Sequence, residues 1–373
     1  MENLIVSWFV TILTNRTDEI MASDRSYVIS YVISNDTSML TTRSVLRYTS
    51  IVLLALLLTT SCGSDDDDSR SDSSLTIRKR ENPVLTRPDG LVADPTVLRY
   101  GSDLLMVYSD YSLATDSITF NAATSSDGIT WSAVGTDDGF RIFSGDTSSW
   151  DKLIETPELV EIDDSLYLYY IGYPESNFDN GIYTSEIGLA TGAEITSLTR
   201  IDNEPTLPRG GPNDLDALTS PAVVEHEGIY YMLYTGWTNI LTATGFLGLT
   251  GATSTDGLRW EKTETRLFPE VADTRFETAT EADLVKGPDA LFYLFFSAEG
   301  GIALARSDQP FGPWEIYPEF IIVSEYAWES GEVVAPTALI EDGLVKVWYS
   351  GVVDNFAGSS IGYAEIDFPL DWP

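Results

Sequence analysis

Cysteine and histidine are almost absent: the 373-residue chain has one of each, Cys62 and His226. One Cys closes no internal disulfide, and one His makes no His-rich zinc site. His226 lies in the turn-like stretch Val223–Gly228 between two strand-like runs, a poor place for the base of a Ser-His-Asp triad. Basic residues are also scarce. The 21 Lys and Arg stand against 58 Asp and Glu, for a formal charge of −37, which argues against nucleic acid as a partner. The acidity reads as solubility or adaptation to a salty medium. A Gly-rich phosphate loop, a Rossmann pattern and a long amphipathic helix are all missing.

Residues 1–61 read as a signal region. Arg43 and Arg47 precede the apolar run Ile51–Leu58, which is too short to cross a bilayer as a mature helix, and small residues then lead to Cys62. This arrangement resembles a bacterial lipoprotein signal, with Thr59 where Leu is usual, and implies lipidation of Cys62 and a place on the cell envelope. Residues 1–38 read as an upstream extension ahead of a start at Met39. Residues 62–76, acidic and Ser-rich, read as a solvated tether.

From 77 to 373 one pattern repeats five times. The inner segments are Ala93-Asp94-Pro95, Glu155-Thr156-Pro157, Thr219-Ser220-Pro221, Thr280-Glu281-Ala282 and Val334-Ala335-Pro336. Each runs through a polar turn into an aromatic, β-branched strand, then into a small-residue strand such as Ile187–Ala190 or Ile361–Ala364. Two of the small strands continue into the near-identical turns Ser125–Trp131 and Ser254–Trp260, where Asp-Gly marks the bend. The period is roughly 50–65 residues. Short strands repeated this way bury both faces only by radial packing, which predicts an all-β, five-bladed β-propeller with about four antiparallel strands per blade. Gly and Ala in the third strands are expected to let neighbouring sheets approach.

A carboxylate stands just ahead of each inner segment: Asp89, Asp151, Asp216, Glu277 and Glu329. Others lie within: Asp94, Glu155, Glu158, Glu281 and Asp283. Inner strands start at one end of the central channel, so these acids are expected to converge there. Paired carboxyls, one protonated and one ionised, suit cleavage of a glycosidic bond, and crowding separates their pKa values. Trp150, Trp237 and Trp328 are expected to stack on sugar. The chain needs no cofactor; Ca²⁺ would suit such oxygens, although no loop shows a Ca²⁺ ligand spacing.

Asn82–Leu85, Ala93-Asp94-Pro95, the aromatic second strands and the Ser-x-Asp-Gly-x-x-Trp turns resemble the five-bladed propeller glycosidases, which include family 43 arabinanases and xylosidases and the invertases and levansucrases. The resemblance covers about Glu81 to the C-terminus. It implies that Asp94 is the base or nucleophile and that Glu158 tunes the acid. Glu155, in a Glu-x-Pro motif but in the second blade, and Glu281 are the candidates for that acid, with Asp216 and Asp283 as further acids near the site. It also implies a carbohydrate substrate and hydrolysis by a monomeric, lipid-anchored protein. A non-catalytic glycan-binding propeller is the alternative, and a phosphorylase is disfavoured because Arg209 is the nearest basic candidate.

Overall fold

The computed structural model describes residues 75–88, 90–112, 117–135, 141–174, 184–238, 246–268, 273–276, 278–354 and 357–373. The signal region, Cys62, most of the tether, Asp89 and Glu277 lie outside these residues.

The described chain is a ring of five antiparallel sheets. A short first strand, β1 (Ile77–Lys79), precedes the blades. Blade 1 is β2 (Gly90–Tyr100), β3 (Asp103–Ser112), β4 (Ser117–Ser125) and β5 (Ser132–Val134), with β6 (Arg141–Ser144) also pairing with β4. Blade 2 is β7 (Leu153–Ile162), β8 (Ser165–Tyr173), β9 (Glu186–Gly192) and β10 (Thr199–Arg200). Blade 3 is β11 (Ala217–His226), β12 (Ile229–Thr238), β13 (Phe246–Ser254) and β14 (Glu261–Lys262). Blade 4 is β15 (Thr280–Lys286), β16 (Phe292–Ala298), β17 (Gly301–Ser307) and β18 (Glu315–Ile316). Blade 5 is β19 (Glu332–Glu341), β20 (Leu344–Val352) and β21 (Ser359–Asp367), completed on its outer edge by β1. The innermost strands β2, β7, β11, β15 and β19 touch in sequence, and β19 returns to β2. The last repeat ends after its third strand, so a strand from before the first repeat fills the fourth place and closes the ring.

Hydrophobic clusters occupy the seams between blades. One joins Leu105, Val107 and Phe120 of blade 1 to Leu166, Leu168 and Tyr170 of blade 2, and another joins Val92 and Met106 of blade 1 to Trp348 and Tyr363 of blade 5. The Asp-Gly turns dock on the preceding blade. Asp127 accepts the N–H groups of Ile129 and Thr130 at 2.8 and 2.7 Å. Trp348 of blade 5 then donates its indole N–H to the Gly128 carbonyl at 2.8 Å. In the blade 3 turn the Gly257 carbonyl receives the Tyr169 hydroxyl of blade 2 at 2.6 Å.

The third-strand glycines serve two contacts: at Gly251 a Cβ would lie 2.7 Å from Cζ of Phe311 in blade 4, the expected approach of a neighbouring sheet, and at Gly188 and Gly362 the contact is within the blade. A Cβ on Gly188 would lie 2.6 Å from Cζ of Tyr170, so the glycine accommodates a ring of its own blade rather than the next sheet. Gly362 does the same for Tyr349.

Candidate active site

Every blade breaks its first ladder at the same place. Register is lost between Ala93 and Thr96, Glu155 and Glu158, Thr219 and Ala222, Thr280 and Asp283, and Val334 and Thr337. Two residues there oppose one, which is a β-bulge. The first bulge residue has left-handed φ in all five blades: Asp94 51°, Thr156 46°, Ser220 51°, Glu281 46° and Ala335 48°. For residues with a Cβ this conformation costs roughly 1–2 kcal/mol each. Hydroxyls from neighbouring positions hold it. Asp94 N–H donates to Ser350 Oγ at 2.9 Å, Glu281 N–H to Thr235 Oγ1 at 3.1 Å, Ala335 N–H to Ser297 Oγ at 2.9 Å, and Ser220 N–H to Thr156 Oγ1 at 3.2 Å. Blade 4 keeps the bulge although Ala282 replaces the Pro of its siblings, so the Pro is not what makes it.

The bulges surround a small cavity on the ring axis. Its wall carries four carboxylates, from Asp94, Glu158, Glu281 and Asp283, together with Thr156 and Ser220. Asp94 and Glu281 hold the same bulge position in blades 1 and 4, and Glu158 and Asp283 hold the position two residues on. The Glu281 carboxylate accepts the Ser297 hydroxyl at 2.9 Å.

Glu158 and Asp283 also staple blades together. Glu158 Oε1 accepts Val223 N–H of blade 3 at 3.0 Å, and its Oε2 accepts the Thr96 hydroxyl of blade 1 at 3.0 Å. Asp283 accepts Ala338 N–H of blade 5 at 2.7 Å. Thr96 and Thr337 occupy the same position in their blades and accept Leu159 N–H at 3.1 Å and Val97 N–H at 3.3 Å. Blade 3 has Ala222 there, and its seam with blade 4 lacks this bond. Burial, then the nearby Asp283 carboxylate, hold the Glu158 carboxyl well above the usual carboxylate range. Burial also raises Asp283, against the N–H groups of Ala338 and Leu284. Two acids that resist ionisation therefore share the wall with Asp94 and Glu281.

Glu155 lies behind this wall. It is 0 % exposed and accepts the Tyr111 hydroxyl at 2.7 Å. Burial, followed by the Glu155 and Asp94 carboxylates, pushes the Tyr111 phenol up, which sets that hydroxyl near both acids. Of the sequence candidates the structure thus brings Asp94, Glu158, Glu281 and Asp283 to one wall and leaves Glu155 beneath it.

Among the described residues, the acids ahead of the inner strands do not converge on the cavity; Asp89 and Glu277 lie outside those residues. Asp151 is buried, accepting the Tyr170 hydroxyl at 2.8 Å and Arg200 Nε at 2.6 Å. Glu329 is held in the same way by Tyr349 at 3.0 Å and by Lys79. In blade 3 this place belongs to Asp214, bound by Tyr234 at 2.8 Å and Lys262 at 2.6 Å, while the expected Asp216 is half-buried ahead of β11 with its N–H on the Trp237 carbonyl. Sequence reading missed Asp214. The signal for it was the Tyr234-Thr235-Gly236 step, which matches Tyr170-Ile171-Gly172 and Tyr349-Ser350-Gly351.

The three tryptophans pack within the blades. Trp150 stacks on Tyr170 at 6.4 Å and 8°, and Trp328 on Tyr349 at 6.0 Å and 28°. Gly172 makes room for the first, since a Cβ there would sit 2.6 Å from Trp150 Cζ3, and Gly351 makes room for the second. Trp237 is wholly buried in β12. None of the three lines the cavity.

No family model and no curated protein sequence matches the chain. Solved structures do share its fold. A structure of BT0996 in an RGII complex superposes with a TM-score of 0.64 at 17% identity, over 78% of this chain and 92% of that protein. A thermostable family-43 glycoside hydrolase gives 0.57 at 15%, over 77% and 97%. The β-1,2-mannobiose phosphorylase from Listeria innocua, complexed with β-1,2-mannobiose, gives 0.58 at 14%, over 78% and 96%. At these identities the likeness shows the fold alone, a five-bladed β-propeller.

Proposed function

We propose that the protein is a glycoside hydrolase working at the bulge ring, with Asp94 and Glu281 as its acid–base pair. The observation that carries this reading is their shared position: two carboxylates at equivalent bulges on one cavity wall. Protonated Glu281 gives its proton to the glycosidic oxygen as the bond from C1 to that oxygen breaks. Ionised Asp94 takes a proton from the attacking water, or bonds C1 itself ahead of water. Water is favoured over phosphate as acceptor because no Lys or Arg lines the cavity among the described residues, and phosphate binding calls for cations or convergent N–H groups. The lipoprotein-like signal at Cys62 supports a place on the bacterial cell envelope, at the outer surface or in the periplasm.

Arabino-, xylo-, fructo- and galacto-oligosaccharides are to be offered to wild type, Asp94→Asn and Glu281→Gln. Loss of an acid or base should lower kcat by about 10²–10⁴, and Glu281→Gln should lose less on aryl glycosides, whose leaving group needs no proton. Equal turnover by wild type and Asp94→Asn would remove Asp94 from the mechanism. Glycan binding by all three proteins without turnover by wild type would favour a binding propeller.

A further inference from the structure

We infer that the glycosyl unit received at the bulge ring is uncharged, and that a uronate of the same sugar is excluded; this rests on the hydrolase site proposed above. Every Lys and Arg after Leu75 lies among the described residues, so the cations of the propeller can be followed one by one. None is on the cavity wall. Several are held elsewhere. Arg200, Lys262 and Lys79 are bound to the buried acids Asp151, Asp214 and Glu329, and Arg87 is bound to Asp110. The stretches between Leu75 and the C-terminus that lie outside the described residues contain no Lys or Arg to add.

What the wall does offer suits a neutral polyol. Carboxylate oxygens of Asp94 and Glu281 accept hydroxyl hydrogens, Thr156 and Ser220 can both give and accept, and Pro95, Pro157 and Pro336 present apolar faces to C–H groups. A second carboxylate carried in by the sugar would meet the ionised Asp94 at close range and no cation on the wall to offset it. Like charges a few ångströms apart inside a protein repel strongly enough to shift an equilibrium by roughly tenfold to a thousandfold.

The test pairs each neutral substrate with its uronate: p-nitrophenyl glucoside with glucuronide, galactoside with galacturonide, in both anomers, with binding of the parent monosaccharides and uronates followed by calorimetry. The neutral member should exceed its uronate at least about 30-fold in kcat/KM or affinity, and raising NaCl from 20 mM to 1 M should narrow that ratio. Ala335→Lys, which places a cation at the fifth bulge, should narrow it about tenfold at unchanged Tm. Ser220→Lys is the second variant should Ala335→Lys fail to fold. A uronate cleaved or bound as well as its neutral parent overturns the inference, as does a ratio insensitive to both salt and the introduced Lys. Absence of turnover on every glycoside would count against the hydrolase reading alone, because the binding comparison still decides the question of charge.

Discussion

Glu332 opens the inner strand of blade 5, opposite Val352. Its Oε1 is buried without a hydrogen-bond partner among the described residues, and burial pushes the carboxyl up to about 8. A folded-state value above the unfolded one means that the fold prefers the protonated acid. That preference is fully present below about pH 4.5 and is lost as pH rises through 8. Ionising Glu332 should therefore cost on the order of 2–4 kcal/mol by pH 9. Glu332→Gln cannot ionise, so it should match wild type in Tm at pH 5 and exceed it at pH 9; a Tm difference that does not change with pH would refute the account. Buried Asp283 and Glu158 are shifted in the same direction, so wild type should itself lose stability from pH 5 to pH 9. Among single residues, Asp94 was legible in the sequence because no sibling blade puts Asp before its Pro. The quiet roles of Asp151 and Glu329 were not, because the cations that hold them lie 49 and 250 residues away in the chain. Nothing local separates an acid aimed at a channel from one locked under a tyrosine.

Among the elements, the repeat itself was plain in the sequence: turn residues and period-two hydrophobicity recur with each blade, and local chemistry decides both. The bulge was hidden. A residue before Pro is biased toward extended backbone, yet Asp94, Thr156, Ser220 and Ala335 are left-handed. Hydroxyls contributed from the preceding blade or an adjacent bulge stabilise that choice, and only the closed ring supplies them. The closing strand was hidden too, because three residues of β1 carry little pattern and their partner β21 is nearly the whole chain away. The weight borne by β1 can be measured through two adjacent residues. Lys79 reaches inward to Glu329, with side chains 8 % and 0 % exposed. Arg78 reaches outward to Glu365 and Asp367, with its side chain 44 % exposed. Lys79→Ala strands a buried carboxylate and should cost about 3–5 kcal/mol. Arg78→Ala gives up only a solvent-screened pair and should cost far less than Lys79→Ala. Urea denaturation of both variants checks this, and equal losses would mean that Lys79 does not anchor the closure.

In the whole molecule, closure and charge oppose each other. A propeller brings all five blades around one axis, and here four carboxylates share the axial cavity within a chain of formal charge −37. Ion pairs relieve only part of this, because 21 cations cannot match 58 acids. Several of the pairs are at the surface, such as Arg306 with Glu315 and Arg275 with Asp273, where each contributes little. Net self-repulsion should then dominate the response to salt. The Debye length falls from about 10 Å at 0.1 M to about 3 Å at 1 M, which screens repulsion between acids on neighbouring blades and weakens the few surface pairs far less in total. Tm in NaCl should therefore climb from 20 mM to 1 M, by roughly 2–4 °C for each kcal/mol of repulsion removed, and the climb should be steeper at pH 8 than at pH 5, where the raised carboxyls of Glu158, Asp283 and Glu332 hold protons. A Tm that is flat or falls with salt would show that the surface pairs, and not the excess of acids, set the electrostatic balance of the ring.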